Sequence, residues 1–156
     1  MRSGKATLMI AIAATISLAV LTAAQTKVNV SGTWKMNREK STFGNGSGPQ
    51  GITIKFDQQE QTLRETFTVN SSAGEERTLN LTYTVDGKPG KGDFGGNEIT
   101  TVASWEGSSL VIVFKRDNGS FTRKFTMSGD GKTMTIAVRQ SGPGGDNEDT
   151  VLLEKQ

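Results

Sequence analysis

The chain contains no cysteine and no histidine, and these two absences exclude more than any residue present. No disulfide can brace the fold, so it must stand on a hydrophobic core. Thiolate and imidazole chemistry are ruled out, and with them His-based zinc sites and both the Ser-His-Asp and Cys-His arrangements. Aromatic residues are few, with seven Phe, two Trp and one Tyr. The girdles that flank a membrane-embedded barrel are therefore not evident. Charge of one sign is also missing: 18 basic residues stand against 16 acidic ones. Two of the basic residues, Arg2 and Lys5, sit at the extreme N-terminus, so the rest of the chain is neutral with 16 of each. A neutral chain with interspersed charges lacks the basic footprint of a nucleic-acid binder. It also has no polybasic or amphipathic helix for a membrane surface.

The longest hydrophobic run is the one at the start. Arg2 and Lys5 precede an almost unbroken apolar stretch from Leu8 to Leu21, and Thr22-Ala23-Ala24 supplies small residues before Gln25. That order is the order of a secretory signal peptide, with cleavage expected after Ala24. The run falls short of the ~20 apolar residues of a membrane helix, which leaves an uncleaved anchor as the alternative. No cysteine is present near the cleavage site to carry a lipid. The expectation is a released chain in the periplasm or outside the cell, with no stable membrane insertion. Residues 25–156 then form one domain, and about 130 residues suffice for a core.

Beyond the leader the dominant period is two, which argues half-buried strands. Leu79, Leu81, Tyr83 and Val85 alternate with Thr78, Asn80, Thr82 and Thr84 in the clearest case. Ile52, Ile54 and Phe56 alternate with Thr53 and Lys55; Phe121, Phe125 and Met127 alternate with Thr122, Lys124 and Thr126. Threonine is abundant on the polar faces, as its β-branched shape favours. Leu110–Phe114 is apolar at every position, so this strand is either covered on both sides or offers a patch to a neighbour. Asp117-Asn118-Gly119, Gly129-Asp130-Gly131 and Glu106-Gly107 read as tight turns. Three longer glycine-rich loops are expected at Ser41–Gly51, Asp86–Gly96 and Ser141–Asn147. The first precedes a strand rather than a helix, so it offers no helix N-terminus to a phosphate.

The fold class expected is therefore all-β: an antiparallel up-and-down meander of about 8–10 strands. Closure as a barrel is the usual way for such a sheet to avoid exposed edges, and a two-sheet sandwich is the alternative.

The segment Ser31-Gly32-Thr33-Trp34-Lys35 resembles the Gly-x-Trp opening strand of the lipocalins and fatty-acid-binding proteins, the calycin superfamily. The closing strand Thr150–Gln156, the length and the meander pattern are similar to that superfamily as well. The resemblance implies a lipocalin-like barrel with an internal cavity for a small apolar ligand, with Gly32 and Trp34 as a structural plug at one end. Together with the leader, it implies a bacterial secreted branch. Departures are visible. The Arg-x-Tyr pair that grips a carboxylate in fatty-acid-binding proteins is matched here by Val151 and Leu153. Their helical lid is replaced by a glycine loop from Gly44 to Gly51, and the Thr-Asp-Tyr-type second motif of lipocalins is not found.

Two charges break the apolar parity. Glu65 shares a face with Leu63, Phe67 and Val69, and Arg123 shares one with Phe121 and Phe125. On an inward face each is costly unless paired or turned to water. They are expected to fix a polar group of a ligand, alone or together, or else to form a structural pair. Phe67, Tyr83, Phe114 and Phe121 are candidate lining residues. Trp105, beside a turn, either stacks on a ligand at the rim or packs over a barrel end. Asp146, Glu148 and Asp149 read as a solvated turn and lack the calcium-loop pattern. No metal or cofactor is expected.

Three functions fit. The first is a non-enzymatic binder of a small hydrophobic or amphipathic molecule. The second is an envelope structural or protein-interaction module whose barrel is filled by side chains. The third is a carboxylate-dependent enzyme using Glu65 or another carboxylate as acid or base, with Arg123 or Tyr83 as its electrostatic partner.

Overall fold

The computed structural model describes residues 28–93 and 96–156; the leader expected at residues 1–24 lies outside them. All ten elements are strands. The first half of the meander comprises β1 (Gly32–Phe43), β2 (Gly51–Gln59), β3 (Thr62–Asn70), β4 (Glu76–Thr84) and β5 (Pro89–Asp93). The second half comprises β6 (Glu98–Glu106), β7 (Ser109–Arg116), β8 (Gly119–Met127), β9 (Thr133–Ser141) and β10 (Asn147–Lys155). They form a single antiparallel sheet in the order β4-β3-β2-β1-β10-β9-β8-β7-β6-β5. Every chain neighbour pairs with the next, except β4 with β5, and β1 pairs with β10 to bring the two halves together.

The sheet curls into a nearly closed barrel. Its two edge strands, β4 and β5, lie beside each other without a ladder. Among the described residues the seam is stitched at one end. Val85, just past β4, bridges to Ala103, and the Gly87 amide donates to the Ala103 carbonyl at 2.9 Å.

Alternation sets what lies inside. Ile52, Ile54 and Phe56 on β2, Leu81 and Tyr83 on β4, and Met134 and Ile136 on β9 are buried, in one cluster with residues from the other long strands. Their Thr and Lys neighbours face solvent or lie half-buried. Phe56 and Phe125 meet edge to face, with centroids 5.4 Å apart. One end of the barrel is closed by Trp34, which is fully buried and donates its indole N–H to the Val30 carbonyl at 2.9 Å. Gly32, at φ +130°, lets the Lys155 side chain pass close by; the Lys155 Nζ sits 5.2 Å from the Trp34 ring centre.

The structure corrects three readings of the loops. Asp86–Gly96 is not one glycine loop, because it contains β5. Pro89-Gly-Lys-Gly-Asp carries no apolar alternation, and it is a strand only because β6 lends it a ladder, Gly92 opposite Ile99. Ser41–Gly51 is shorter than expected, since β1 runs on to Phe43 through a bulge between Asn37 and Thr42. Inside that bulge the Ser41 hydroxyl donates to the Asn37 carbonyl at 2.7 Å and accepts from the Leu152 amide at 3.1 Å. Of the acidic cluster only Asp146 lies in the exposed turn, accepting from the Ser141 hydroxyl at 2.7 Å, because β10 begins at Asn147 and takes in Glu148 and Asp149. Glu148 there ion-pairs with Arg139 at 2.7 Å, while Asp149 accepts from the Gly44 amide at 2.9 Å.

The all-apolar stretch becomes β7. Leu110, Ile112 and Phe114 join the inner cluster, while Val111 lies on the other face, between Ser104 and Lys124.

Candidate functional site: a polar bridge beneath an open mouth

In this strand order four strands separate β3 from β8 in one direction around the barrel, and four separate them in the other. Glu65 on β3 and Arg123 on β8 therefore sit on opposite walls. Both point inward, since each shares its parity with buried apolar neighbours. Their side chains meet across the interior in a two-pronged pair, with Nη1 donating to Oε1 at 2.6 Å and Nη2 donating to Oε2 at 2.7 Å. Side-chain exposure is 6% for Arg123 and nil for Glu65.

Tyr83, on the strand next to Glu65, completes the bridge. Its hydroxyl donates to Glu65 Oε2 at 2.8 Å and accepts from Arg123 Nη2 at 3.1 Å. Burial raises the pKa of this phenol far above its ordinary value; Arg123 opposes the rise and Glu65 adds to it. The phenol therefore stays protonated. Burial also works against the guanidinium charge, but Glu65 and Tyr83 together outweigh it and hold its pKa above the usual value. The result is an ion pair plus a neutral phenol, with no net charge.

Aromatic rings surround the guanidinium. Its central carbon lies 4.9 Å from the Phe114 ring centre, 5.2 Å from that of Phe125 and 5.6 Å from that of Phe67. Phe114 packs edge to face with Tyr83 at 6.2 Å and against Phe121 at 5.6 Å. The three bonds to Glu65 and Tyr83 engage both terminal nitrogens of the guanidinium, and its third nitrogen, Arg123 Nε, is buried and finds no acceptor among the described residues.

Above this bridge, at the end opposite Trp34, the barrel opens into a funnel of about 1070 Å³. Ile99 and Phe121 supply apolar surface to it, and its rim carries Arg77, Glu98, Lys115, Asn118 and Gln140. The Ser141–Asn147 connection forms part of its wall. A smaller space of about 360 Å³ lies at the β4–β5 seam, lined by Tyr83, Thr101 and the Asp86–Lys91 segment among others.

Of the residues singled out in the sequence, Glu65, Tyr83, Phe67, Phe114 and Arg123 come together in the bridge, and Phe121 reaches the funnel. Trp105 does not join them. It stands beside the β6–β7 turn at the Trp34 end, half-buried against the core. Val151 and Leu153 are buried apolar residues of β10, so the closing strand offers no polar grip. The rim residues were missed. They sit at strand ends, where an exposed polar residue looks like any other.

No family model matches the sequence, and no curated protein matches it. Solved structures do. Secretory abundant heat soluble protein 4 from Ramazzottius varieornatus superposes with a TM-score of 0.61 at 15% identity, over 81% of this chain and 94% of that one. Zebrafish ileal bile acid-binding protein complexed with cholic acid gives 0.54 at 15%, over 81% and 98%. Echinococcus granulosus fatty-acid-binding protein 1 gives 0.56 at 14%, over 80% and 96%. The shared fold is an antiparallel β-barrel. At these identities the likeness is one of fold, and the site must be argued from the residues present. In this barrel both oxygens of Glu65 are engaged by Arg123 and Tyr83. Any proton transfer by that carboxylate has first to break the pair.

Proposed function

We propose that the chain is an exported, non-enzymatic barrel that binds a small hydrophobic or amphipathic molecule at its open mouth. The observation that carries this reading is the 1070 Å³ funnel, whose largely polar lining is joined by apolar surface from Ile99 and Phe121. Concave sites with apolar walls and a few placed polar groups are where such molecules bind. Two of the similar structures lend support through their names, one a bile acid-binding protein in complex with cholic acid and one a fatty-acid-binding protein. Export is supported by the leader, with its basic start, apolar run and small residues before Gln25.

Displacement of an environment-sensitive apolar dye tests the binding. Phe121→Asp, which puts a charge at the funnel floor, is expected to weaken binding by about tenfold or more while the fold stays intact. Unchanged affinity in that variant contradicts the placement of the site. Cell fractionation tests the export: a product beginning at Gln25 in the envelope or medium is expected, and a full-length chain in the cytoplasm contradicts it.

A second reading has its own observation. Below the floor the interior is filled by buried side chains from Ile112 and Phe114 down to Trp34 and Leu153. A barrel packed in this way also suits a scaffold that presents its mouth loops to a protein partner.

A further inference from the structure

The interior of this barrel holds its one guanidinium in a form that bears on the ligand's charge. Glu65 occupies the two-pronged face of Arg123, and Tyr83 takes the remaining contact with Nη2. An entering carboxylate would put two buried anions beside one buried cation. To take the face for itself, it would have to leave Glu65 stranded at nil exposure, and an uncompensated buried charge is among the costliest defects a core can hold. The bridge therefore disfavours the anion that a free arginine would attract.

One nitrogen of the guanidinium has no partner among the described residues. A guanidinium has five N–H donors, and the single Nε–H of Arg123 is buried with no acceptor among the described residues. Buried donors without a partner are rare and destabilising. An acceptor that carries no charge can satisfy this one and leave the ion pair intact. Towards the mouth, Phe67 and Phe121 are only partly buried and offer apolar surface to the body of such a molecule. Phe67, Phe114 and Phe125 wall the guanidinium. Phe121, two residues along β8 on the same face, lies between it and the funnel.

We propose that the barrel selects an uncharged amphiphile, one that presents a carbonyl, ester or hydroxyl oxygen to Arg123 Nε, over the corresponding carboxylate. This rests on the binding reading above and narrows it to a ligand class.

The test is a series of one chain length, comprising a long-chain methyl ester, the alcohol, the hydrocarbon and the free acid, measured by dye displacement at a pH where the acid is ionised. The wild-type chain is expected to bind ester and alcohol about tenfold more tightly than either acid or hydrocarbon. Glu65→Gln frees the guanidinium charge and is expected to reverse the order, with the acid gaining about tenfold. Should that variant fail to fold, the paired replacement Glu65→Leu with Arg123→Met removes both charges together, a change buried ion pairs often tolerate. It is expected to abolish the preference of ester over hydrocarbon. Preference for the acid in the wild type overturns the inference and leaves the binding reading standing, since the rim cations would then hold the anion. An ester preference that survives the paired replacement also overturns it. If no member of the series binds, the binding reading falls and this inference falls with it.

Discussion

Arg123 and Glu65 join opposite walls of the barrel through two hydrogen bonds of 2.6 and 2.7 Å, 58 residues apart in sequence. The pair spans the interior, whereas the inward residues Val151 and Leu153 of β10 are apolar. It neutralises both charges in place, and Tyr83 closes it on one side.

Removing one partner is therefore far worse than removing both. Arg123→Met leaves Glu65 buried and unpaired, and it is expected to cost about 3–5 kcal/mol in urea unfolding. Glu65→Leu with Arg123→Met is expected to recover most of that loss. A double variant no more stable than the single one would show that the bridge is not an electrostatic unit.

Tyr83 is the only tyrosine in the chain, so phenolate absorbance reports on it alone. Its pKa is raised in the folded state while the unfolded phenol titrates near 10. Above that pH the unfolded chain releases a proton that the folded chain keeps, so stability is full below about 10 and falls as the pH rises further. Phenolate absorbance is expected to appear together with loss of the β-sheet signal. Ionisation near 10 with the fold intact would place the hydroxyl in solvent.

Much of this was legible in the sequence, for physical reasons that differ between elements. β4 could be read directly because Leu79, Leu81 and Tyr83 turn inward while Thr78, Asn80, Thr82 and Thr84 are exposed. Glu65 and Arg123 stood out because a charge on an apolar parity demands a partner. That they are each other's partner could not be read, since the pairing depends on ten strands curling until β3 faces β8. β5 was invisible for a related reason, as only the ladder from β6 makes it a strand.

Gly119 holds φ +152° at the start of β8, and a side chain there would run into the Ser141 carbonyl. Gly119→Ala is expected to lower stability by about 1–3 kcal/mol and to loosen the funnel wall at Ser141–Asn147. Gly46→Ala, at φ +75° with open space around it, is the control and is expected to cost only about 1 kcal/mol. Equal losses at the two positions would contradict the close approach of Ser141.

Glu60 is the non-glycine residue at positive φ among the described residues, at +52°, in the two-residue turn between β2 and β3. Such turns favour glycine at their first position. Glu60→Gly is expected to raise the unfolding midpoint, by about 0.5–1 kcal/mol of stability. A destabilised variant would mean that the Glu60 side chain contributes more than its backbone strain removes.

Native mass spectrometry of the product exported from a bacterial host tests the central claim most directly. The chain is expected to begin at Gln25 and to carry a discrete extra mass, lost on denaturation, that belongs to an uncharged hydrophobic or amphipathic molecule. A bare mass that stays bare after incubation with a panel of such compounds would contradict a binding barrel and leave the filled scaffold in its place.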